Sequence, residues 1–548
     1  METLPPEIIT KILEYLPFGD RRVVAMVNKA FYYASYHPAF SRKEFLTYQT
    51  SEVDLKKFND FKKMLMNSRR KLLCLKFIDF IFIDDLTIFT NLGNHIISLH
   101  FNNLKCLNDS FLDAISQYCR NLEKLELVRL QDLSITDKNR APIYKLCSIT
   151  LDDVQISDRE FNPILKFAPN LRDLSIVNCN INGSSQVLKR FYPQRTDSAI
   201  SNEYLFNKYN SNYIFSDINI IYHLNNSVQL NSLRLNQCCH VFYQIQSIQQ
   251  FKSLVLDLKN TYTNQSSKIE NFKILSQCIS LEQLEIDHLP LWLLPTVSKL
   301  CNLRHLTVKY SIKSGDDLEL LKLFVDSLKD MKYIRKLSFN IVAEDFDIVH
   351  PIFGFPDCIF TSLTSLDCSL DANLRSIVFS ENLTSLRIRN GHNLSVSFLQ
   401  QILTNIPNVK HLHIDRCCII DDSNFVDLPI SNLKELITLK ILGSRISHLS
   451  LRHIWNSTLK VITFDSVSLL PLRVEPFQEN LLAVGQTILL LGIRVPLLTQ
   501  LEIYIDSHSF SFIEGENLLS HYWEEINELV KRCFKEMKIF RLWKTRRL

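Results

Sequence analysis

The chain is 548 residues long, 46% apolar and 22% charged, with a net charge of only +4. That apolar fraction excludes a disordered chain, and the near balance of charge gives no reason to expect nucleic acid or a membrane surface as partner. With only 10 glycines among 548 residues, a glycine-rich phosphate-binding domain is not expected.

The N-terminal forty-five residues predict three short helices. Pro5 and Pro6 each disfavour α conformation in the residue before them, so the first helix should begin at Pro6, with Glu7 in the first turn near the positive end of the dipole. Ile8, Ile12, Leu13 and Leu16 form an apolar stripe, and Pro17 stops the helix. Asp20 is placed to cap a second helix carrying Val23, Val24 and Val27. A third should follow from Asn28, with Phe31 and Ala34 facing inward. Three such small helices cannot bury all their apolar surface, and a partner usually covers the remainder.

This stretch resembles an F-box over residues 2–45. The resemblance rests on the Leu4-Pro5-Pro6-Glu7-Ile8 opening, the Ile12-Leu13 and Tyr15-Leu16 core, Asp20, Val27, Lys29 and Pro38. Phe31 stands where the family usually has Trp, which keeps the aromatic anchor but loses the indole N–H. The resemblance implies binding to the Skp adaptor and, through it, to a cullin ubiquitin ligase. Leu4, Pro5, Ile8, Ile12, Leu13, Leu16, Val27 and Phe31 would divide between the module's own core and that adaptor.

Residues 47–70 read as a helical linker. From residue 71 to about 510 the sequence repeats the phrase apolar-x-x-apolar-x-apolar about sixteen times, from Leu72/Leu75/Phe77 through Leu122/Leu125/Leu127, Leu303/Leu306/Val308 and Val409/Leu412/Ile414 to Leu498/Leu501/Ile503. Most steps are about 20–31 residues, the period of leucine-rich repeats. In each copy the alternating part is a short strand with its leucines inward, and the return segment covers the back. The whole resembles the leucine-rich class of F-box proteins. The expected fold is α/β: a three-helix F-box, a curved leucine-rich-repeat solenoid and a C-terminal capping helix.

Two steps are long. Leu171 to Leu230 encloses a polar insertion around 182–226, either a loop within one repeat or a degenerate repeat. Leu459 to Leu498 could hide another degenerate unit. Residues 515–548 read as a capping helix, with Leu519, Trp523, Ile526 and Val530 on one face, and a basic tail from Arg541. The start of the chain does not read as a signal peptide. Leu481 to Leu498, interrupted by Gln486, Arg494 and Pro496, reads as buried structure and not as a membrane span. The 14 cysteines include no C-x-x-C pair, so reduced thiols and a cytoplasmic or nuclear location are expected.

No nucleophile–base set or nucleotide motif is present, so no enzyme and no cofactor is expected. His411 and His413 near Cys417 and Cys418 read as surface strand positions and a repeat turn, like Cys238 and Cys239, and not as a metal site. On the exposed strand face, Arg387, Arg389, His411, His413 and Lys440 form a net basic group, a candidate groove for an acidic or phosphorylated protein substrate. The expected function is the substrate-recognition subunit of an SCF-type ubiquitin ligase. The alternative is a Skp-binding scaffold that directs no ubiquitination.

Overall fold

The computed structural model describes residues 4–16, 18–37, 40, 42, 44–49, 55–68, 72–79, 86–104, 106–130, 132–136, 138, 140–156, 163–181, 229–236, 250–258, 273–288, 293–297, 299–312, 331–343, 362–369, 381–389, 395–416, 420–468, 477–506, 524, 527–534 and 539–545. They fall into two units, Met1–Leu281 and Glu282–Leu548.

The first unit opens with helices α1 (Pro6–Glu14), α2 (Phe18–Val24) and α3 (Lys29–Ser35). Pro6 starts α1, and the Asn28 side chain caps α3 by accepting from the Phe31 N–H at 2.9 Å. Helix α2 begins two residues before Asp20, so this carboxylate sits in the first turn and favours the dipole there instead of capping. Ile9, Leu13, Phe31, Ala34 and Phe40 close a small core, with Leu4, Leu16, Val24 and Ala30 against it. Arg21 fastens the module's exit. Its guanidinium donates to the Leu16 carbonyl at 2.6 Å, pairs with Glu44 at 2.5 Å and lies 4.7 Å above the Phe40 ring. Arg42 then pairs with Glu123 of the repeats at 2.7 Å.

Among the described residues, eight strands of the main sheet follow in this unit, parallel and neighbouring in chain order: Phe45–Gln49, Leu73–Ile78, Ile96–Asn102, Lys124–Val128, Ser148–Asp152, Asp173–Val177, Ser232–Asn236 and Ser253–Asp257. Leu125, Ile149, Leu174, Leu233 and Leu254 lie side by side and buried, while Glu126, Thr150 and Ser175 face outward between them. This is the period-two alternation of the phrase.

The expected linker over 47–70 is corrected: it is the first coil of the repeat stack. Strand Phe45–Gln49 sets Leu46 opposite Leu75 and Tyr48 opposite Phe77, and helix Leu55–Met66 makes the return. The sequence disguises this coil because Lys43 stands where the phrase carries its first apolar residue. The long step from Leu171 is one coil and not two, since Leu174 pairs directly with Leu233. The insertion itself, around 182–226, lies outside the described residues.

The second unit stacks ten parallel strands: Gln283–Asp287, His305–Ile312, Lys336–Ala343, Ser365–Ser369, Ser385–Arg389, His411–Asp415, Thr438–Ser447, Val461–Ser468, Gln500–Asp506 and Ile539–Thr545. The step from Leu459 to Leu498 holds the helix Phe477–Arg494 and, among the described residues, no strand between Val461–Ser468 and Gln500–Asp506, since Ile462 pairs directly with Leu501. The C-terminal reading is also corrected. A helix is present around Val530, which is buried, but Ile539–Thr545 is a strand, with Phe540 opposite Leu501 and Leu542 opposite Ile503. Met537, Phe540 and Leu542 form one more copy of the phrase, masked by the interleaved Lys538, Arg541 and Lys544. Leu519, Trp523 and Ile526 lie outside the described residues.

Two backbone ladders set the register. At the start of the strands one carbonyl accepts two N–H groups of the next coil, as Glu123 does from Cys147 at 3.0 Å and Ser148 at 3.1 Å. At the strand ends, Asp79, Asn103, Arg129, Asp153, Asn178, His288 and Arg416 have φ between 52° and 60°, and Gly443, inside its strand at a register shift, has φ 65°. The first seven stand two residues beyond the last buried strand residue of their coil, and the N–H of Asn103 donates to the Val128 carbonyl of the next coil at 2.8 Å. This left-handed residue turns each coil off the sheet.

Candidate functional site

The first candidate surface is the part of the N-terminal module that its own core does not use. Helix α1 carries two apolar stripes. Ile9, Leu13 and Leu16 face the core, while Ile8, Ile12 and Tyr15 face out, Ile8 at 47% and Tyr15 at 84% exposure. Of the eight residues expected at this site, Leu4, Leu13, Leu16 and Phe31 are therefore core, and Pro5, Ile8, Ile12 and Val27 are surface. Val23 and Met26 are exposed as well. The sequence reading missed Ile9 as the core partner of Leu13 and missed Tyr15 and Met26 as surface. The signal lay in the doubled spacing, since i, i+4, i+7 occurs twice one residue apart.

The second is the outward sheet face of the Glu282–Leu548 unit. Register places Asp367, Arg387, His413 and Lys440 side by side in one column across four strands, and Arg389 in the next column over. His411 is exposed and lies 3.1 Å from the Thr438 hydroxyl. The expected net basic group is corrected at its two arginines. Arg389 makes two hydrogen bonds of 2.6 Å to Asp367, and Arg387 donates to Asp415 at 2.7 and 3.1 Å. His413 Nε2 lies 2.7 Å from the other Asp415 oxygen. Burial pushes the Asp415 carboxyl up, but hydrogen bonds from His413 and Arg387 outweigh it and hold the group below the usual carboxylate range. The hydrogen bonds that Arg389 donates to Asp367 raise its guanidinium, against the opposing effect of burial. These pairs cross between strands diagonally and clamp three coils together; they are not guanidiniums awaiting an anion.

Among the described residues, no cluster of three or more metal-ligating side chains occurs. Cys238, Cys239, Cys417 and Cys418 lie outside those residues. Burial pushes the thiols of Cys119 and Cys278 up to about 12 and that of Cys179 up to about 11, the reverse of what a nucleophile needs. Among the described residues no helix is long and apolar enough to cross a membrane.

The F-box domain family matches residues 1–43. No curated protein sequence matches the chain. Among solved structures, the chain is similar to TLR13 of a TLR13–ssRNA13 complex, at 14% identity and a TM-score of 0.44, over 87% of this chain and 64% of that one. It thus spans somewhat less than two thirds of that protein's length. It is also similar to a chain of the Rad7 and Elc1 complex in yeast, at 13% identity and a TM-score of 0.38, covering 67% of this chain and 79% of that one. A third similarity is to the leucine-rich repeat-containing protein LegL7 from Legionella pneumophila, at 13% identity and a TM-score of 0.21, covering 82% and 94%. Residues 1–43 thus match an F-box domain, and the described residues beyond them stack as parallel coils that repeat one leucine-rich phrase.

Proposed function

We propose that this chain is the substrate-recognition subunit of an SCF-type ubiquitin ligase. The F-box binds the Skp adaptor and through it the cullin; the repeats bind the protein to be modified. The observation that carries this reading is the division of labour in α1: one apolar stripe closes the module's core and a second, Ile8, Ile12 and Tyr15, stays open to solvent beside a closed core. A monomer gains nothing from exposing that stripe, whereas an adaptor covering it removes apolar area worth about 25 cal/mol per Å². The Arg21–Glu44 and Arg42–Glu123 pairs tie the module to the first coils of the repeats. Catalysis by positioning works through raised effective concentration and needs no catalytic group in this chain.

The test replaces Ile8, Ile12 and Val27 together by Asp in the full chain. All three are exposed, so the circular-dichroism spectrum should be unchanged while co-purification with the Skp adaptor is lost. Retained binding would exclude the outward stripe as the adaptor surface. If Skp binding is confirmed but depletion of the chain stabilises no bound protein, the scaffold reading replaces the receptor reading.

A further inference from the structure

The paired arginines of the sheet face direct attention to exposed positive charge elsewhere on the same unit. It lies at the start of two adjacent strands, His305–Ile312 and Lys336–Ala343. The Arg335 and Lys336 N–H groups both donate to the Arg304 carbonyl, at 2.8 and 3.0 Å, so the three residues sit on neighbouring coils about 5 Å apart. All three side chains are exposed. Arg304 has Glu282 at 3.5 Å; among the described residues neither Arg335 nor Lys336 forms an ion pair. We infer that this corner, Arg304, Arg335 and Lys336, is a docking surface for a short anionic segment of a protein.

Three further observations support it. His305 lies within the cluster and opposite Lys336. Burial and then Lys336, Arg335 and Arg304 lower its pKa, against Glu282, so the cations act together at one point. The Gln283 amide nitrogen lies 3.0 Å from His305 Nδ1. An amide nitrogen only donates, so Nδ1 accepts and Nε2 keeps its hydrogen, a neutral donor among three cations. Finally, like charges held side by side repel, and an anion between them turns that repulsion into attraction.

The surroundings decide the kind of anion. Glu282, Glu285 and Asp287 border the corner on one side, with Asp287 already paired to Lys309 at 2.8 Å. On the other side the column continues as uncharged Thr364, Ser365, Thr384 and Ser385. A polyphosphate chain crossing the sheet would run over the acidic border; a peptide with two or three clustered anions fits between. Carboxylate and phosphate share the required chemistry. This inference names the substrate class for the receptor role proposed above and rests on it.

The experiment measures fluorescence anisotropy of labelled peptides with the full chain bound to its Skp adaptor. The probes are a twelve-residue peptide with three adjacent glutamates, the same peptide with phosphoserines there, the same with glutamines, and an oligouridylate of equal charge. Both anionic peptides should bind, the glutamine peptide should not, and added salt should weaken binding. The double variant R335E/K336E should weaken it about tenfold or more, since each exposed pair contributes little and reversal converts attraction to repulsion. The variant K460E, at an exposed lysine five coils further along the same ladder of strand starts, should leave it unchanged. The milder R335Q/K336Q should fall between, with circular dichroism as for the parent. Whichever anionic peptide binds more tightly identifies the source of the charge. Equal binding by R335E/K336E and the parent overturns the inference, and so does tighter binding of oligouridylate than of both peptides. Skp co-purification by R335E/K336E stays intact in either case, so failure of this corner and failure of the receptor reading are read from different measurements.

Discussion

Replacing Leu306 by Asp, beside Thr307 by Asp, tests the strand register on which both surfaces depend. Leu306 is 1% exposed, with Leu284 and Leu337 directly beside it on the flanking strands. Removing that side chain forfeits about 1.5–3 kcal/mol of burial. An unpaired carboxylate in its place costs several kcal/mol more, or takes up a proton and still leaves an unsatisfied hydroxyl. The sum, about 5 kcal/mol or more, is comparable to the whole stability of an ordinary domain. Thr307 faces outward between Glu285 and Ser338, and its replacement adds only a like charge near Glu285, worth about 0.5 kcal/mol or less. Leu306→Ala should lie between, at about 2–5 kcal/mol. Urea titrations followed by far-UV circular dichroism order the three variants. Equal losses for the two aspartates, or a larger loss for Thr307→Asp, would refute the register.

Other expectations follow from single features. Gly443→Ala places a Cβ 3.0 Å from the Arg416 Cα at a residue with φ +65°, and should cost about 1–2 kcal/mol or more, seen as a lower thermal midpoint. Arg129→Gly, at φ 53°, relieves the same conformation and should cost less than about 0.5 kcal/mol. Asp109 has its carboxyl lowered to about 2: burial raises it, but the Thr136 side-chain and backbone hydrogen bonds and that from Arg140 prevail. Its stabilisation is complete above the unfolded value of 3.8 and is lost as pH falls toward 2, so Asp109→Asn should flatten the acid limb of a stability–pH curve in that window.

The architecture was legible because stacking imposes one spacing on every coil, and buried positions repeat it. The first and last coils were hidden for a physical reason. In the first coil Lys43 stands at an apolar position of the phrase, which a coil with a repeat on one side only tolerates at less cost; in the last the phrase Met537/Phe540/Leu542 is intact but set in a basic run. In α1 the spacing showed that the helix is apolar but not which of Ile8 and Ile9 turns inward, since that depends on where α3 packs. The basic group misled because charge was counted along strands. The Arg387–Asp415 and Arg389–Asp367 contacts join residues 28 and 22 positions apart and run diagonally, which only register and side-chain reach reveal.

The shared carbonyl at each strand start has a consequence for how such a chain can change over time. Through most of each unit a coil accepts two hydrogen bonds from the coil after it and donates two to the coil before it, so these junctions are chemically alike. Excising one whole coil joins a donor pair to an equivalent acceptor and leaves no group unmet. Excising half of one strands both. Length is therefore quantised, in steps of about 5 Å of sheet, and the reach of the surface can be lengthened or shortened by duplication or loss of coils without any new contact having to be invented.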